Sequence, residues 1–364
     1  MKKTIIAASL TALAMGSVFA ANTYKYNQAQ GEPIKYNKDS ATEGGKLTGG
    51  WYYDHAENVN ANTNFDHSAN STDITLTGGT FDELIGGNHI KQPTYTESPK
   101  VTIGDTKVTM TDGSVGYFIG GSKANNSDKT TLITGDVTAV ISGGSVTGAG
   151  MGINGAEKVS VVGGSCVKST GYNNQGTPAS TTAETGNISL SISGGTFTGA
   201  VFGGSIADNY GETQASDSAK PDLSIKTGVS SLLIEGGTFD SSEFGVFGGS
   251  AALGKQSSTV SSGSSVSIDA KKAVVITGRV VGGDLLGLGG SDDYATSSTI
   301  NGSTSVSITG SGNITTTESV IGGSLLNLLE KDEESSSTIS GTSEIVIDAA
   351  NAVLGDEVIG GSYV

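Results

Sequence analysis

Glu235 and Asp269 are the residues whose chemistry and placement come nearest to a reaction centre. Each follows the second apolar residue of an alternating segment, Leu232 with Ile234 and Val266 with Ile268. In a parallel stack of such segments the two carboxyls would stand about 5 Å apart, the separation used by retaining glycosidases. The same position holds Ser193 and Thr309 in the adjoining segments, and the only arginine, Arg279, lies in a different segment. A carboxyl pair without a histidine or arginine beside it reads as an acidic rung on a solvated ladder. The chain is therefore expected to be no enzyme, with no catalytic residue.

His55 and His67 follow Asp54 and Asp66 in a stretch rich in Asn and aromatic residues, and His89 is the only other histidine. These side chains could ligate zinc, but a spacing of twelve residues fits no familiar zinc layout. No metal is assigned, and the stretch reads as a polar cap. Gly289-Gly290-Ser291-Asp292-Asp293 is a single imperfect echo of a calcium-binding nonapeptide repeat and reads as a loop. Thr75/Thr77 and Thr109/Thr111 resemble the hydroxyl ladders of ice-binding solenoids, but later rungs carry Glu235 and Asp269. No catalytic triad order, phosphate loop or nucleotide fingerprint is present, so no cofactor is expected.

Charge narrows the partners. The chain carries −16, and −18 without Lys2 and Lys3. Phosphate recognition needs clustered Lys and Arg, which argues against nucleic acid; an anionic membrane surface is a poor partner for the same reason. Self-repulsion of an acidic surface keeps a β-rich chain soluble. Cys166 is the only cysteine, so packing alone must hold the fold. The 56 glycines recur at fixed places within apolar patterns, which argues for an ordered repeat and against low-complexity disorder.

Residues 1–20 are expected to form a cleaved signal peptide. Lys2 and Lys3 precede an apolar run from Ile5 to Met15, and Val18 and Ala20 set up a cut at Ala20–Ala21. The run is shorter than the roughly 20 residues a spanning helix needs. No later segment is long and apolar enough to be a transmembrane helix. Export places the mature chain outside the cell, beginning at Ala21.

What must position these residues is a repeat. Two apolar residues, two glycines and usually serine recur as Leu84-Ile85-Gly86-Gly87-Asn88, Phe118-Ile119-Gly120-Gly121-Ser122, Val201-Phe202-Gly203-Gly204-Ser205 and Val246-Phe247-Gly248-Gly249-Ser250. Val280-Val281-Gly282-Gly283-Asp284, Val320-Ile321-Gly322-Gly323-Ser324 and Val358-Ile359-Gly360-Gly361-Ser362 follow. Steps between first glycines are 34, 83, 45, 34, 40 and 38 residues. The step of 83 hides a degenerate copy, either Gly150-Met151-Gly152-Ile153-Asn154 or Val161-Val162-Gly163-Gly164-Ser165. Upstream of each copy lies an alternating pair: Ile74/Leu76, Val108/Met110, Ala139/Ile141, Leu190/Ile192, Leu232/Ile234, Val266/Ile268, Val306/Ile308 and Ile345/Ile347. Alternation of this kind predicts strands with one buried face. A weaker strand is expected at Ser258-Thr259-Val260, Ser298-Thr299-Ile300 and Ser337-Thr338-Ile339. Leu325–Lys331 suggests one helical turn.

A short multi-strand unit cannot bury its apolar face alone, and stacking the next unit covers it. The expected fold is all-β: a parallel β-solenoid, or right-handed β-helix, of about eight coils of roughly 40 residues with variable corner loops. Residues 21–70 would be a polar entry or cap segment, and 71–364 the repeat, truncated at its C-terminal end. The glycines would allow corner conformations with positive φ and let coils approach closely. A β-propeller and a β-sandwich are the alternatives. Ile85, Ile119, Phe202, Phe247, Val281, Ile321 and Ile359 would form an interior ladder. The adjacent stripe of Leu84, Phe118, Val201, Val246, Val280, Val320 and Val358 would face outward unless a bend reorients it, to be covered by loops or used for docking. Loop residues Tyr172, Asn173, Asn174, Asn209, Tyr210, Asp292, Asp293 and Tyr294 are the expected recognition elements.

Ile192-Ser193-Gly194-Gly195-Thr196-Phe197 followed by Val201-Phe202-Gly203-Gly204-Ser205, in an acidic, cysteine-poor chain with an export signal, resembles the β-helical passenger regions of Gram-negative autotransporter adhesins. The resemblance covers roughly residues 70–364 and lies in repeat style. It implies a rod displayed on the cell surface for adhesion or cell–cell contact, with a surface glycan, a surface protein or a second copy as partner. Autotransporters end in a membrane β-barrel, and no such translocator follows within this chain. A carbohydrate-active β-helix enzyme resembling pectate lyases is the competing reading.

Overall fold

The alternating segments are strands, paired in the register that the repeat implies. The computed structural model describes residues 45–50, 52–53, 65–91, 100–125, 130–153, 157–168, 181–209, 222–254, 257–287, 296–327 and 335–364. These hold strands and no helix, in one 26-stranded and one 8-stranded sheet. Among the described residues every pairing between repeats is parallel; the one antiparallel pair is a local hairpin, Gly152–Ile153 with Glu157–Val162. Propeller blades and sandwiches pair their strands antiparallel, so both alternatives fall away. The architecture is all-β with parallel strands, consistent with a β-helix. The signal segment, His55 with its neighbour Asp54, and positions 172–174, 210, 289–294 and 331–334 lie outside the described residues.

One column runs through the whole chain: Ile74, Val108, Ala139, Leu190, Leu232, Val266, Val306 and Ile345 are successive register partners. All but Ile345 are buried. The degenerate copy is Val161-Val162-Gly163-Gly164-Ser165, since Val161 pairs with Phe118 and Val201, and Val162 with Ile119 and Phe202. The repeat also starts earlier than residue 71. Lys46–Thr48 pairs with Glu83–Ile85, Phe65–His67 with Val101–Ile103, and the Gly49 and Gly50 amides bond to Ile85 and Gly87. Thr48 stands where the other copies have an aliphatic or aromatic residue, which hides this unit in the sequence.

Positive φ is not why the Gly-Gly pairs are glycine. Those angles occur at another corner, at Gly79, Gly113, Gly144, Gly195 and Gly237. The Gly-Gly pairs answer to close approach: a methyl group on Gly86 would run into the carbonyl oxygen of Gly120, and one on Gly120 into that of Gly163. The repeats are thus stacked backbone on backbone at this corner.

Neither apolar stripe faces outward. Leu84, Phe118, Val201, Val246, Val280 and Val320 belong to one core with Ile74 and its column. Ile85, Ile119, Phe202, Phe247, Val281 and Ile321 belong to a second. The chain folds back after each Gly-Gly-Ser corner into a strand of the 8-stranded sheet, bringing Cys166, Ile206, Ala251, Leu285 and Leu325 against the second stripe. Leu325–Asn327 is one of these strands, not a helical turn. The opposite face of the same sheet, with Ala124, Val167 and Ala207, packs on Leu132, Ala183, Leu223 and Ile225 in a third core. On this opposite face Ala124, Val167, Ala207, Ala252 and Leu286 are all buried, so most of the 8-stranded sheet is covered on two sides, as parallel sheets are.

Phe202 stacks on Phe247 at 4.9 Å, and Phe197 on Phe239 at 4.8 Å with rings 11° apart. These separations match the spacing between neighbouring strands. Ile321 lies between Val281 and Ile359. The weaker third strand is shifted by one residue from the alignment expected: Thr259 pairs with Ser298 and Val260 with Thr299, whereas Ser298 pairs with Ser337. Thr259 is therefore interior, on the rung of Ser298, and Val260 turns outward. In the last repeat, paired on one side, Val346, Val353 and Val358 are exposed.

Candidate functional site

Glu235 is engaged by a cation. The chain bends at Lys271 and Lys272, both of whose amides donate to the Glu235 carbonyl at 3.0 and 3.1 Å. This bend delivers the Lys271 ammonium to Glu235 Oε1. Lys271 is held above the ordinary lysine range by that hydrogen bond, then by the charges of Glu235 and Asp269. Asp269 itself sits in register with Thr309. Asp66 turns to its own backbone, accepting the Ser68 amide at 3.0 Å, and burial holds His67 below the usual histidine range. Among the described residues no three His, Cys, Asp or Glu side chains gather to hold a metal.

The densest chemistry lies in a buried cluster that no local motif marks. Glu83 is in register with Lys46 on one side and Tyr117 on the other. His89 and Lys123 are register partners, followed on the same rung by Cys166, Ile206, Ala251, Leu285 and Leu325. The rung is polar in the early repeats and apolar later. Glu83 gathers its neighbours: Lys46 Nζ lies 3.3 Å from Oε1, His89 Nδ1 3.3 Å from Oε2, and Lys123 Nζ 3.9 Å from Oε1. Lys123 donates to the Tyr117 hydroxyl and lies 4.2 Å from its ring centroid. A second pair, Lys168 and Asp208 at 3.1 Å, adjoins on the same sheet.

Burial alone would push the Glu83 carboxyl up, but His89, Lys123, the Tyr117 hydroxyl and Lys46 together hold it below its ordinary range. Burial lowers Lys123, against the pull of Glu83, and raises Tyr117. The Cys166 thiol is pushed up to about 11 by burial, so it is protonated at neutral pH and a poor nucleophile. Glu83 and Lys123 thus neutralise one another inside the second core, with no exposed reactive group between them.

A second polar feature runs through the corners. The residue after each Gly-Gly accepts the backbone amide of its counterpart one repeat earlier. The Asn88 amide donates to Ser122 Oγ at 3.1 Å, Ser122 to Ser165 at 3.1 Å, Ser165 to Ser205 at 3.0 Å and Ser205 to Ser250 at 3.0 Å. Ser250 then donates to Asp284 Oδ1 at 2.6 Å, Asp284 to Ser324 at 3.2 Å, and Ser324 to Ser362 at 3.1 Å. Beside it, the hydroxyls of Thr72, Thr106, Ser230 and Ser264 donate to the carbonyls of Gly86, Gly120, Gly248 and Gly282. These polar groups of the corner are therefore hydrogen-bonded where they are buried.

No protein-family model, curated protein or solved structure matches this chain. Its function has to be argued from the geometry itself. No helix among the described residues is long and apolar enough to cross a membrane.

Proposed function

We propose that this chain is a right-handed parallel β-solenoid that serves as a secreted or surface-displayed adhesive scaffold of a Gram-negative bacterium, mediating adhesion or cell–cell contact. One observation carries the reading: parallel pairing passes from each repeat to the next from Lys46 to Ile359, with only local register shifts after Leu76, Val159 and Asp240. Each repeat adds about 4.8 Å to such a stack, so the sequence is spent on length. The strongly interacting charges Glu83 and Lys123 lie inside, and Glu235 is paired with Lys271. A scaffold of this kind presents its inter-strand loops at regular intervals, and weak contacts repeated along one edge give avidity without a deep pocket.

The test uses the purified mature chain on beads. Adhesion to bacterial cells, to immobilised glycans and to beads carrying the same chain is scored against beads coated with an inert protein. Release of reducing ends from polysaccharides is followed in parallel. Adhesion without release supports the proposal; depolymerisation that Glu235→Gln abolishes would replace it with a glycan-cleaving enzyme.

A further inference from the structure

Asp284 is the one residue in the Gly-Gly-Ser corner ladder that carries an ionisable side chain; its counterparts are Asn88, Ser122, Ser165, Ser205, Ser250, Ser324 and Ser362. It is fully buried. Oδ1 accepts the Ser250 amide at 2.6 Å. Oδ2 accepts the Thr259 hydroxyl at 3.0 Å and the Ser298 hydroxyl at 2.6 Å. Thr259 becomes interior through the one-residue shift of the third strand, which sets it on the rung of Ser298, so this contact of the carboxyl and the register shift belong together.

The partners make this a reversible site. An amide can only donate, but a hydroxyl can donate or accept. Ionised, the carboxylate receives three hydrogen bonds. Protonated on Oδ2, it keeps the Ser250 amide on Oδ1 and gives its own proton to Thr259 or Ser298, whose hydroxyl rotates to accept it. Neither state leaves a buried polar atom unpaired, and only the ionised state buries a net charge. Asp240, Asp269 and Arg279 are charged residues of the strands around it; its proton affinity is raised by burial, against the pull of the hydrogen bonds from Ser298, Ser250 and Thr259.

We propose that Asp284 is a pH-sensitive joint in the stack, tightening the contact between the repeats of Ser250, Asp284 and Ser324 when it takes up a proton and loosening it when ionised. The sign follows from the raised affinity. The stabilising contribution is complete below the ordinary aspartate range and is lost as pH rises through the higher folded value. A surface scaffold would thus be stiffest at this joint in acid and most openable there in neutral medium.

Hydrogen exchange of the full chain across a pH series that starts near the ordinary aspartate value, from about 4 to 7.5, corrected for intrinsic rates, tests this. Amides of residues 248–254, 257–262, 282–287 and 296–300 should gain about tenfold in protection on acidification for each pH unit inside the titration window. Peptides around Ser205, with a hydroxyl at the same rung, serve as the internal control and should stay flat. Asp284→Ser, which installs the residue found in the neighbouring repeats, should remove the response. If that variant does not fold, Asp284→Asn supplies the same comparison, and the internal control stands without either. Equal responses at the Ser205 and Asp284 repeats, a gain that survives substitution, or protection that falls on acidification would overturn the proposal. All three outcomes are independent of whether the chain adheres to anything.

Discussion

The backbone amide of Ser205 donates to the hydroxyl of Ser250, one repeat ahead, at 3.0 Å. The contact states the logic of the fold: a residue's conformation is held by its counterpart in the next repeat. It also separates two kinds of serine. Those at the corners accept backbone amides in the interior, whereas those on the wet strand faces, such as Ser267 and Ser307, sit in register with each other and partly meet solvent.

Ser250→Ala should therefore be costly. It leaves the buried Ser205 amide without its acceptor, a loss of about 1–3 kcal/mol. Ser267→Ala should fall within about 0.5 kcal/mol of the parent, as surface substitutions do. Urea denaturation midpoints of the two variants measure the difference, and equal midpoints would remove the ladder from the account.

Glycine substitution should depend on position within one motif. Gly203→Ala drives a methyl group towards the Gly248 carbonyl and the Leu232 side chain, and overpacking of this kind costs about 1–3 kcal/mol. Gly360→Ala, in the last repeat, meets nothing within 4 Å and should be nearly neutral. Thermal melts of both variants check this; similar losses at the two sites would mean that backbone conformation, not close approach, selects glycine.

The buried cluster should respond to strong acid. The Glu83 carboxyl is held below its ordinary range, so its contribution is present above about pH 4.3 and is lost as pH falls through the lower folded value. Glu83→Gln should cost about 3–5 kcal/mol at neutral pH, because Lys123 stays buried without its counter-charge. Adding Lys123→Met should recover much of that loss. Denaturation midpoints between about pH 3 and 7 report both effects; a double variant as unstable as the single one would show that the charges do not act as a pair. The acid response here is opposite in sign to that of Asp284, and exchange measurements resolve the two because they lie in different repeats.

Ile321→Asp places a carboxylate between Val281 and Ile359, in the second core. An unpaired buried charge should cost more than about 4 kcal/mol, whereas Ile321→Val should cost about 0.5–1.5 kcal/mol. Equilibrium unfolding of the two variants tests the ladder directly, and a tolerated aspartate would contradict it.

Much of this architecture is legible in the sequence because a parallel stack repeats its chemistry at every rung. Period-two alternation identifies Ile74 and its column, and the Gly-Gly-Ser motif identifies the corner. Legibility fails where neighbours in space are unlike residues. Thr48 conceals the first unit, and Ser258 looks like the counterpart of Ser298 although the structure pairs it with Ser297. The stripe of Leu84, Phe118 and Val201 looked exposed because strand periodicity cannot show that the chain folds back after each corner and buries the Ile85 stripe on its other side, so that both stripes have a core to face. Glu83 and Tyr117 share one position of two successive repeats and His89 and Lys123 another, but the residue types differ, so no repeated motif marks them. The one signal is charge at His89 and Lys123, in a column that is apolar in later repeats.

The central claim is the continuous parallel pairing of successive repeats, and its most direct test is a series of distances along one outward column. Thr75, Thr109, Val140, Ser191, Leu233, Ser267 and Ser307 are successive register partners. Spin labels on cysteines replacing Thr109 and Ser267, Thr109 and Ser307, or Thr75 and Ser307 can be read by double electron–electron resonance. Cys166 is buried and its thiol protonated, so it should not compete for label. The account predicts distances near 19, 24 and 29 Å, rising by about 4.8 Å for each repeat added. Distances that do not rise evenly with repeat number would contradict it.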